Sequence, residues 1–214
     1  MTANISGLLV GAFERTWDII RNRHGDVPPV VITIGSGTLG TKSGQVRLGH
    51  FAAARWQHGD TQQLAELFIS GEGLCRGAVD VFGTLLHEAT HGVANTREIK
   101  DTSRQGRYHN RRFRDLGTEL GLTLEEDSRI GWSVTRVPPA TVEGYTDAIG
   151  SLTDALVAYR HAEVKVTKTT KSTNLVVAAC FCPRKIRVAA STLGEAPIVC
   201  GACRHEFFAE EADE

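Results

Sequence analysis

The 214-residue sequence predicts an α+β protein in two parts, a larger domain of short strands and amphipathic helices followed by a small cysteine-rich module. Three observations carry this reading. Strand-like runs gather between residues 30 and 70, while helical periodicity marks residues 4–20 and most of 77–160. A Lys/Thr segment, residues 165–173, is too polar to bury and reads as a linker. Four of the five cysteines, Cys180, Cys182, Cys200 and Cys203, fall in the last 35 residues. The expected divisions are 1–162 for the main domain, 163–174 for a basic linker, 175–208 for the cysteine module and 209–214 for an acidic tail.

Asn4 can cap a first helix whose Leu9, Phe13, Trp17 and Ile20 recur at helical spacing, ending before Pro28-Pro29. Residues 30–34 are Val-Val-Ile-Thr-Ile, β-branched throughout, and stop at Gly35-Ser36-Gly37, so they read as a strand entering a turn. Residues 45–48 and 51–56 are expected to pair as a hairpin about Gly49. Residues 65–70 form a further candidate strand, although residues 61–67 alone would pass for a helix. The next helix, residues 77–95, places Val79, Phe82, Leu86, Thr90 and Val93 on one face. A polar stretch, 96–108, leads to His109, which is expected to open a helix with Phe113, Leu116 and Leu120 inward and Gly121 just past its end. Pro138-Pro139 precedes a last long helix, residues 141–160, with Val142, Tyr145, Ile149, Leu152, Leu156 and Tyr159 inward.

Composition excludes several classes. With 24 Lys+Arg against 25 Asp+Glu and 41% hydrophobic residues, the chain is neither disordered nor fibrous. No run approaches the ~20 apolar residues of a membrane span, and residues 8–13 lack the flanks of a signal peptide. A cytoplasmic protein with no membrane partner is expected, and in that compartment thiols stay reduced. Charge is uneven along the chain. Five acids crowd residues 206–214, whereas Arg97, Lys100, Arg104, Arg107, Arg111, Arg112 and Arg114 gather in one segment and residues 165–187 hold six bases and no acid. Such blocks suit either a solvated face or nucleic-acid contact.

His87-Glu88-Ala89-Thr90-His91 is an H-E-x-x-H motif. Four-residue spacing puts both imidazoles on one helix face, so they can share a cation, and Glu88 can address a water there as general base. A catalytic zinc takes three protein ligands and leaves one place open. For the third ligand the candidates are His109, His161, His205, Glu119 and Glu125; His109 is preferred because it lies 18 residues on, with Gly106 available for a tight return. Arg107 and Tyr108 adjoin it as possible oxyanion donors, though Tyr108 is expected to pack or face solvent. Cys75 invites comparison with the thiolate ligand of peptide deformylases, but it stands in the order Gly-Leu-Cys only 12 residues before His87, and a buried small apolar role is expected.

Leu-Leu-His-Glu-x-x-His, a basic loop with a Gly, His109-Asn110-x-x-Phe113 opening an apolar helix, and a terminal cysteine module together resemble the SprT-like zinc metalloproteases, which include Spartan-type DNA–protein crosslink proteases. The resemblance is strongest over residues 85–120. It implies a zincin-like catalytic domain with the H-E-x-x-H helix packed on a small sheet, zinc on His87, His91 and His109, Glu88 as general base, and a protein substrate that can be DNA-associated. Two departures stand out: Asn110 replaces the usual Gly after the third ligand, and the loop of residues 96–108 is somewhat long.

Cys180-x-Cys182 and Cys200-x-x-Cys203 are separated by 17 residues. Four thiolates would close a structural zinc site, with residues 174–179, 185–188 and 197–199 as strands of a zinc ribbon and His205 as a spare ligand. Disulfides or a redox pair are the competing use of these thiols. Lys165, Lys168, Lys171, Arg184, Lys185 and Arg187 surround the ribbon with charge suited to DNA. Phe181, Phe207 and Phe208 are either base-stacking residues or the ribbon's own core. The alternative to a peptidase is a nucleic-acid-binding protein whose first metal is purely structural; a zinc hydrolase of another acyl compound also fits the motif.

Overall fold

The computed structural model describes residues 4–41, 44–163 and 175–209. The chain divides into two compact units, residues 1–164 and 165–214, and it is a mixed α+β protein. The linker expected at 163–174, from residue 164 on, and the acidic tail beyond residue 209 lie outside the described residues. Among the described residues no helix is long and apolar enough to cross a membrane.

Helix α1 (Ile5–Arg23) starts where the Asn4 side chain accepts the Gly7 N–H at 3.0 Å. It buries Leu9, Ala12, Phe13, Thr16, Trp17 and Ile20. Each large apolar side chain so buried contributes about 1.5–3 kcal/mol. Strand β1 (Val30–Gly35) follows, then β2 (Gly49–His58) and β3 (Gln62–Ser70), in the order β1-β3-β2, with β1 parallel and β2 antiparallel to β3. The hairpin expected about Gly49 is not formed. Gly49 is not in a left-handed conformation; it opens one continuous strand, and its missing side chain serves a close approach to the next helix. Residues 45–48 instead run as a loop, held where Arg47 N–H donates to Gly37 O and Ser70 N–H donates to Leu48 O, both at 2.9 Å.

A 3-10 turn (Glu72–Arg76) leads to α2 (Ala78–Thr96), the central helix, whose Phe82, Leu85, Leu86, Ala89 and Val93 are fully buried against the sheet and α1. Val79, expected inward, is 39% exposed because it lies in the first turn, before the helix enters the core. The stretch after α2 contributes β4 (Thr102–Ser103) and β5 (Tyr108–His109), then α3 (Arg111–Glu119), β6 (Thr123–Asp127) and β7 (Gly131–Arg136). These strands form a second sheet, β4-β5-β7-β6, that the sequence reading did not anticipate. Its strands are half exposed and largely polar, with only Leu124 of β6 packed against the core, so the hydrophobic signal for them is weak.

The long helix expected over residues 141–160 is two shorter ones, α4 (Pro139–Gly144) and α5 (Thr146–Ala155). The break falls at Tyr145, whose ring lies 4.8 Å from that of Phe82 and whose hydroxyl meets His24 Nε2 at 3.0 Å. Anchoring that side chain in the core fixes the kink. Beyond Ala155 the chain is no longer helical, Tyr159 is 56% exposed rather than inward, and Arg160 N–H donates to Gly71 O.

In the second unit β8 (Leu175–Ala179), β9 (Lys185–Ala189) and β10 (Phe208–Ala209) form a sheet ordered β10-β8-β9, with a short α6 (Ala190–Glu195) after β9. Residues 197–199 supply only an isolated bridge, Val199 to Glu206. Buried residues among those described are Ala178, Cys180 and Cys200, far too little apolar area to offset the entropy of ordering the segment.

Candidate metal centre

Helix α2 sets His87 and His91 one turn apart, about 6 Å along its axis, on one face. The helix ends in a Schellman turn: Ile99 N–H donates to Ala94 O at 2.8 Å and Glu98 N–H to Asn95 O at 3.2 Å, with Glu98 at φ 56. This turn reverses the chain so that Asp101 returns to α2. There His91 Nδ1 donates to Asp101 Oδ2 at 2.5 Å. That contact fixes the ring and leaves Nε2 facing His109, whose own Nε2 is 3.1 Å away.

His109 is the last residue of β5, not the first of a helix. The helix begins after it because Asn110 takes the N-cap, extended at φ −88 and ψ −175, its Oδ1 accepting the N–H groups of Arg112 and Phe113. Asn110 Nδ2 also donates to Lys100 O at 2.9 Å, and its main-chain N–H to Asp101 O at 2.9 Å. The residue that departs from the resemblance is therefore a cap, which needs no glycine conformation, and it ties His109 to the turn carrying Asp101. Gly131 of β7 closes the other side. A side chain there would stand 2.1 Å from His109 O, and Gly131 adopts φ 73, so no other residue is accommodated without a backbone shift. His109 Nδ1 faces Ile130 O at 3.3 Å. Fully buried Phe113 lies beneath all three imidazoles, with ring centroids 4.8, 4.7 and 4.4 Å from His87, His91 and His109.

One nitrogen from each of His87, His91 and His109 lies within 4.8 Å of the others, an arrangement that could hold a metal ion. Two nitrogens bound to one tetrahedral ion at zinc's bond lengths would be about 3.3 Å apart, close to the 3.1 Å between His91 and His109. Both hydrogen-bonded Nδ1 atoms have acceptors of the kind that orient metal-ligating histidines. Burial and the neighbouring imidazoles hold His87 well below the ordinary histidine range. His109 is lowered to about 4, by burial first and by His91 second. His91 moves up: burial opposes this, but the Asp101 carboxylate and Glu88 outweigh it.

Glu88 points into the seam between α2 and β2. A side chain on Gly49 would meet Glu88 Oε1 at 3.0 Å, which is why β2 can approach so closely. Burial pushes the Glu88 carboxyl up to about 7, with His91, the Phe51 N–H and Arg47 pulling the other way. A carboxyl poised near neutrality can take and return a proton at physiological pH. The imidazoles and Glu88 face a cleft of about 950 Å³. One wall is residues 46–51 and 53, the other residues 133–137. The first wall includes the start of β2, an edge strand; the second is the part of β7 beyond its single pairing with β5 at Gly131.

Other sequence candidates are elsewhere. Glu119 is held by both terminal nitrogens of Arg97 at 2.7 and 2.8 Å, and Glu125 by Arg136 at 3.2 Å. His161 stacks edge-on against Tyr159 at 5.4 Å. Tyr108 donates to Glu126 at 2.9 Å with Arg104 over its ring, and does not line the cleft. Cys75 is exposed, not buried: the 3-10 turn sends Leu74 inward and Cys75 out, where its Sγ donates to Glu72 O. Asp101, Asn110 and Gly131 were missed by sequence reasoning. Only the position of Asp101 shortly after the second histidine of the motif could have drawn attention to it.

In the second unit the four sulfurs of Cys180, Cys182, Cys200 and Cys203 lie within 4.8 Å of one another and could hold a metal ion. Tetrahedral thiolates at zinc's bond length would be about 3.8 Å apart, against 3.7 Å for Cys182 and Cys200. Main-chain N–H groups of Cys203 and Ala202 lower Cys200, and that of His205 lowers Cys203 to about 5. Cys180 moves the other way, pushed up to about 12 by burial first and by the neighbouring Cys182 and Cys200 thiols next. His205 is exposed and packs on Phe181 at 4.8 Å, and its side chain hydrogen-bonds Cys203 without being one of the four convergent donors.

Comparison with protein-family models, curated proteins and solved structures returns no match.

Proposed function

We propose that the first unit is a zinc-dependent endopeptidase of SprT-like type, with zinc on His87, His91 and His109 and Glu88 as general base. The observation that carries this reading is the placement of Glu88. It is a buried carboxyl beside three convergent imidazoles, lining an open cleft. Zinc held there would supply Lewis acidity toward a peptide carbonyl and ease ionisation of water. Glu88 takes the proton of the attacking water and returns it to the leaving amine; Phe51 N–H fixes its orientation, and Asp101 and Ile130 O fix His91 and His109. The edges of β2 and β7 suit an extended chain, because each offers unpaired main-chain donors and acceptors.

A nucleic-acid contact is supported by a separate observation on the second unit. Phe181 is 78% exposed and Phe208 50%, so these rings are not the ribbon's core, and Arg184, Lys185, Arg187 and Arg204 belong to the same unit. Exposed rings among bases suit single-stranded DNA. On this reading zinc closes the Cys180, Cys182, Cys200 and Cys203 site, and the substrates are DNA-associated proteins in the cytoplasm.

The deciding experiment is a cleavage assay on free and DNA-bound basic proteins, with and without single-stranded DNA, beside Glu88→Gln. The variant is expected to keep its metal and lose at least ~100-fold in cleavage rate. Retained cleavage in Glu88→Gln removes the general-base assignment. Metal bound at the histidines with no cleavage of any protein favours a purely structural first site.

A further inference from the structure

Several charged and polar side chains lining the cleft are already committed. Arg76 donates to Thr84 Oγ1 at 2.6 Å and to Asp80 O at 3.1 Å; Arg136 pairs with Glu125; His50 Nε2 meets Glu66 at 2.9 Å; Asp101 holds His91. Arg47 differs. It lines the cleft, its side chain is exposed, and among the described residues its guanidinium has no hydrogen-bonded or ion-paired partner. Asp80, also at the cleft, lies seven residues before His87, about 10 Å away along α2 and beside Arg76. Arg47 is two residues from Gly49, which touches Glu88, and its charge reaches Glu88.

The root of Arg47 is fixed although its tip is free. Its N–H donates to Gly37 O, Leu48 O accepts from Ser70 N–H, and Gly37 N–H donates to buried Glu72 Oε2 at 2.8 Å. A guanidinium is desolvated more cheaply than an ammonium and offers a planar fork that matches a carboxylate. We propose that Arg47 is a specificity-determining residue that binds a carboxylate of the substrate, either an acidic side chain or a free chain end, next to the bond being cut.

This inference rests on the peptidase reading for the word "cut" but not for the binding it predicts. The test therefore reads binding first, by fluorescence anisotropy with metal-loaded Glu88→Gln protein. The labelled peptides differ in a single Glu or Gln, each with a free or amidated C-terminus. The acidic or free-ended peptide is expected to bind about ten-fold or more tightly than its neutral twin. Arg47→Ala should erase the difference, Arg47→Lys should keep part of it, and Arg47→Glu should turn preference toward a lysine peptide. The side-chain and chain-end arms tell the two carboxylate sources apart. No preference in the parent, no peptide binding at all, or a preference that survives in Arg47→Ala overturns the proposal. Cleavage by the Glu88-intact protein separates the two ideas: cleavage without charge preference removes only the Arg47 assignment, and Arg47-dependent binding without cleavage removes only the peptidase. A uniform fall in kcat for acidic and neutral peptides alike would make Arg47 an oxyanion donor and overturn its assignment to specificity.

Discussion

The three histidines of the first unit and the four cysteines of the second bring metal-binding atoms equally close, within 4.8 Å in each group, yet their surroundings differ in every other respect. The histidines lie on a helix and a strand of the first unit, offer three donors, and face a cleft beside an ionisable carboxyl. The cysteines offer four donors, and among the described residues of that unit Ala178 is the one other buried residue. Convergent donors alone therefore do not specify chemistry. On the proposed reading an open position, a base and a wall for substrate do, and a core packed apart from the histidines lets the site serve reaction rather than folding.

Stripping metal from the whole chain tests this contrast most severely. Closed structural zinc sites carry about 10–16 kcal/mol of apparent binding free energy, more than the ribbon's apolar contacts can replace. Hydrogen exchange read by mass spectrometry should show residues 175–209 losing protection completely after chelation. Amides of α2, β1 and β3 should keep theirs. Equal loss in α2 would mean that the histidine site is structural too; persistent protection in the ribbon would mean that its fold does not depend on the ion.

Within the first unit a carboxylate does the joining that the ion is proposed to do in the second. Glu72 is 8% exposed and accepts hydrogen bonds from Gly37 N–H, Thr38, Ser70, Ser36 and Arg160, drawing together the loop after β1, the end of β3 and the segment beyond α5. Burial would raise its pKa, but the Gly37 N–H and the hydroxyls of Ser70 and Thr38 overrule it and hold the group at about 2. Because the folded value lies below the ordinary 4.5, the stabilisation is fully present above that pH and is lost as pH falls toward about 2. Glu72→Gln should cost about 1–3 kcal/mol at neutral pH, read by denaturant unfolding, with the gap to wild type closing through that window. A gap independent of pH would assign the effect to shape rather than charge.

How much of this was legible beforehand follows the same division. His87, Glu88 and His91 are readable because helical spacing is short-range and rigid, and the cysteine pairs because each sits in its own tight turn. The helices α1, α2 and α3 were visible for the strength of their apolar stripes. The second sheet was not, since strands such as Thr123–Asp127 are half exposed and polar and take their form from pairing. Gly49 looked like a turn because sequence cannot show that the missing side chain makes room for Glu88. Asn110 looked like a lost glycine, although its cap bonds to Arg112 and Phe113 are local enough to have been anticipated.

The smallest effect separates the two sites by the means each uses to orient its donors. Cys200 and Cys203 are met first by main-chain N–H groups, which a change of side chain leaves in place. His91 depends on a side chain, Asp101, at 2.5 Å. Asp101→Asn keeps a similar shape and can still accept from Nδ1, but the negative charge that makes the imidazole a better donor to a metal is gone. Metal affinity at the histidine site should fall about 10–100-fold, measured by competition with a chelator. Affinity at the cysteines and the unfolding midpoint of the metal-free first unit should stay unchanged. If histidine-site affinity does not move, Phe113 packing alone sets the His91 ring, and the carboxylate would rank as a surface contact of the turn after α2.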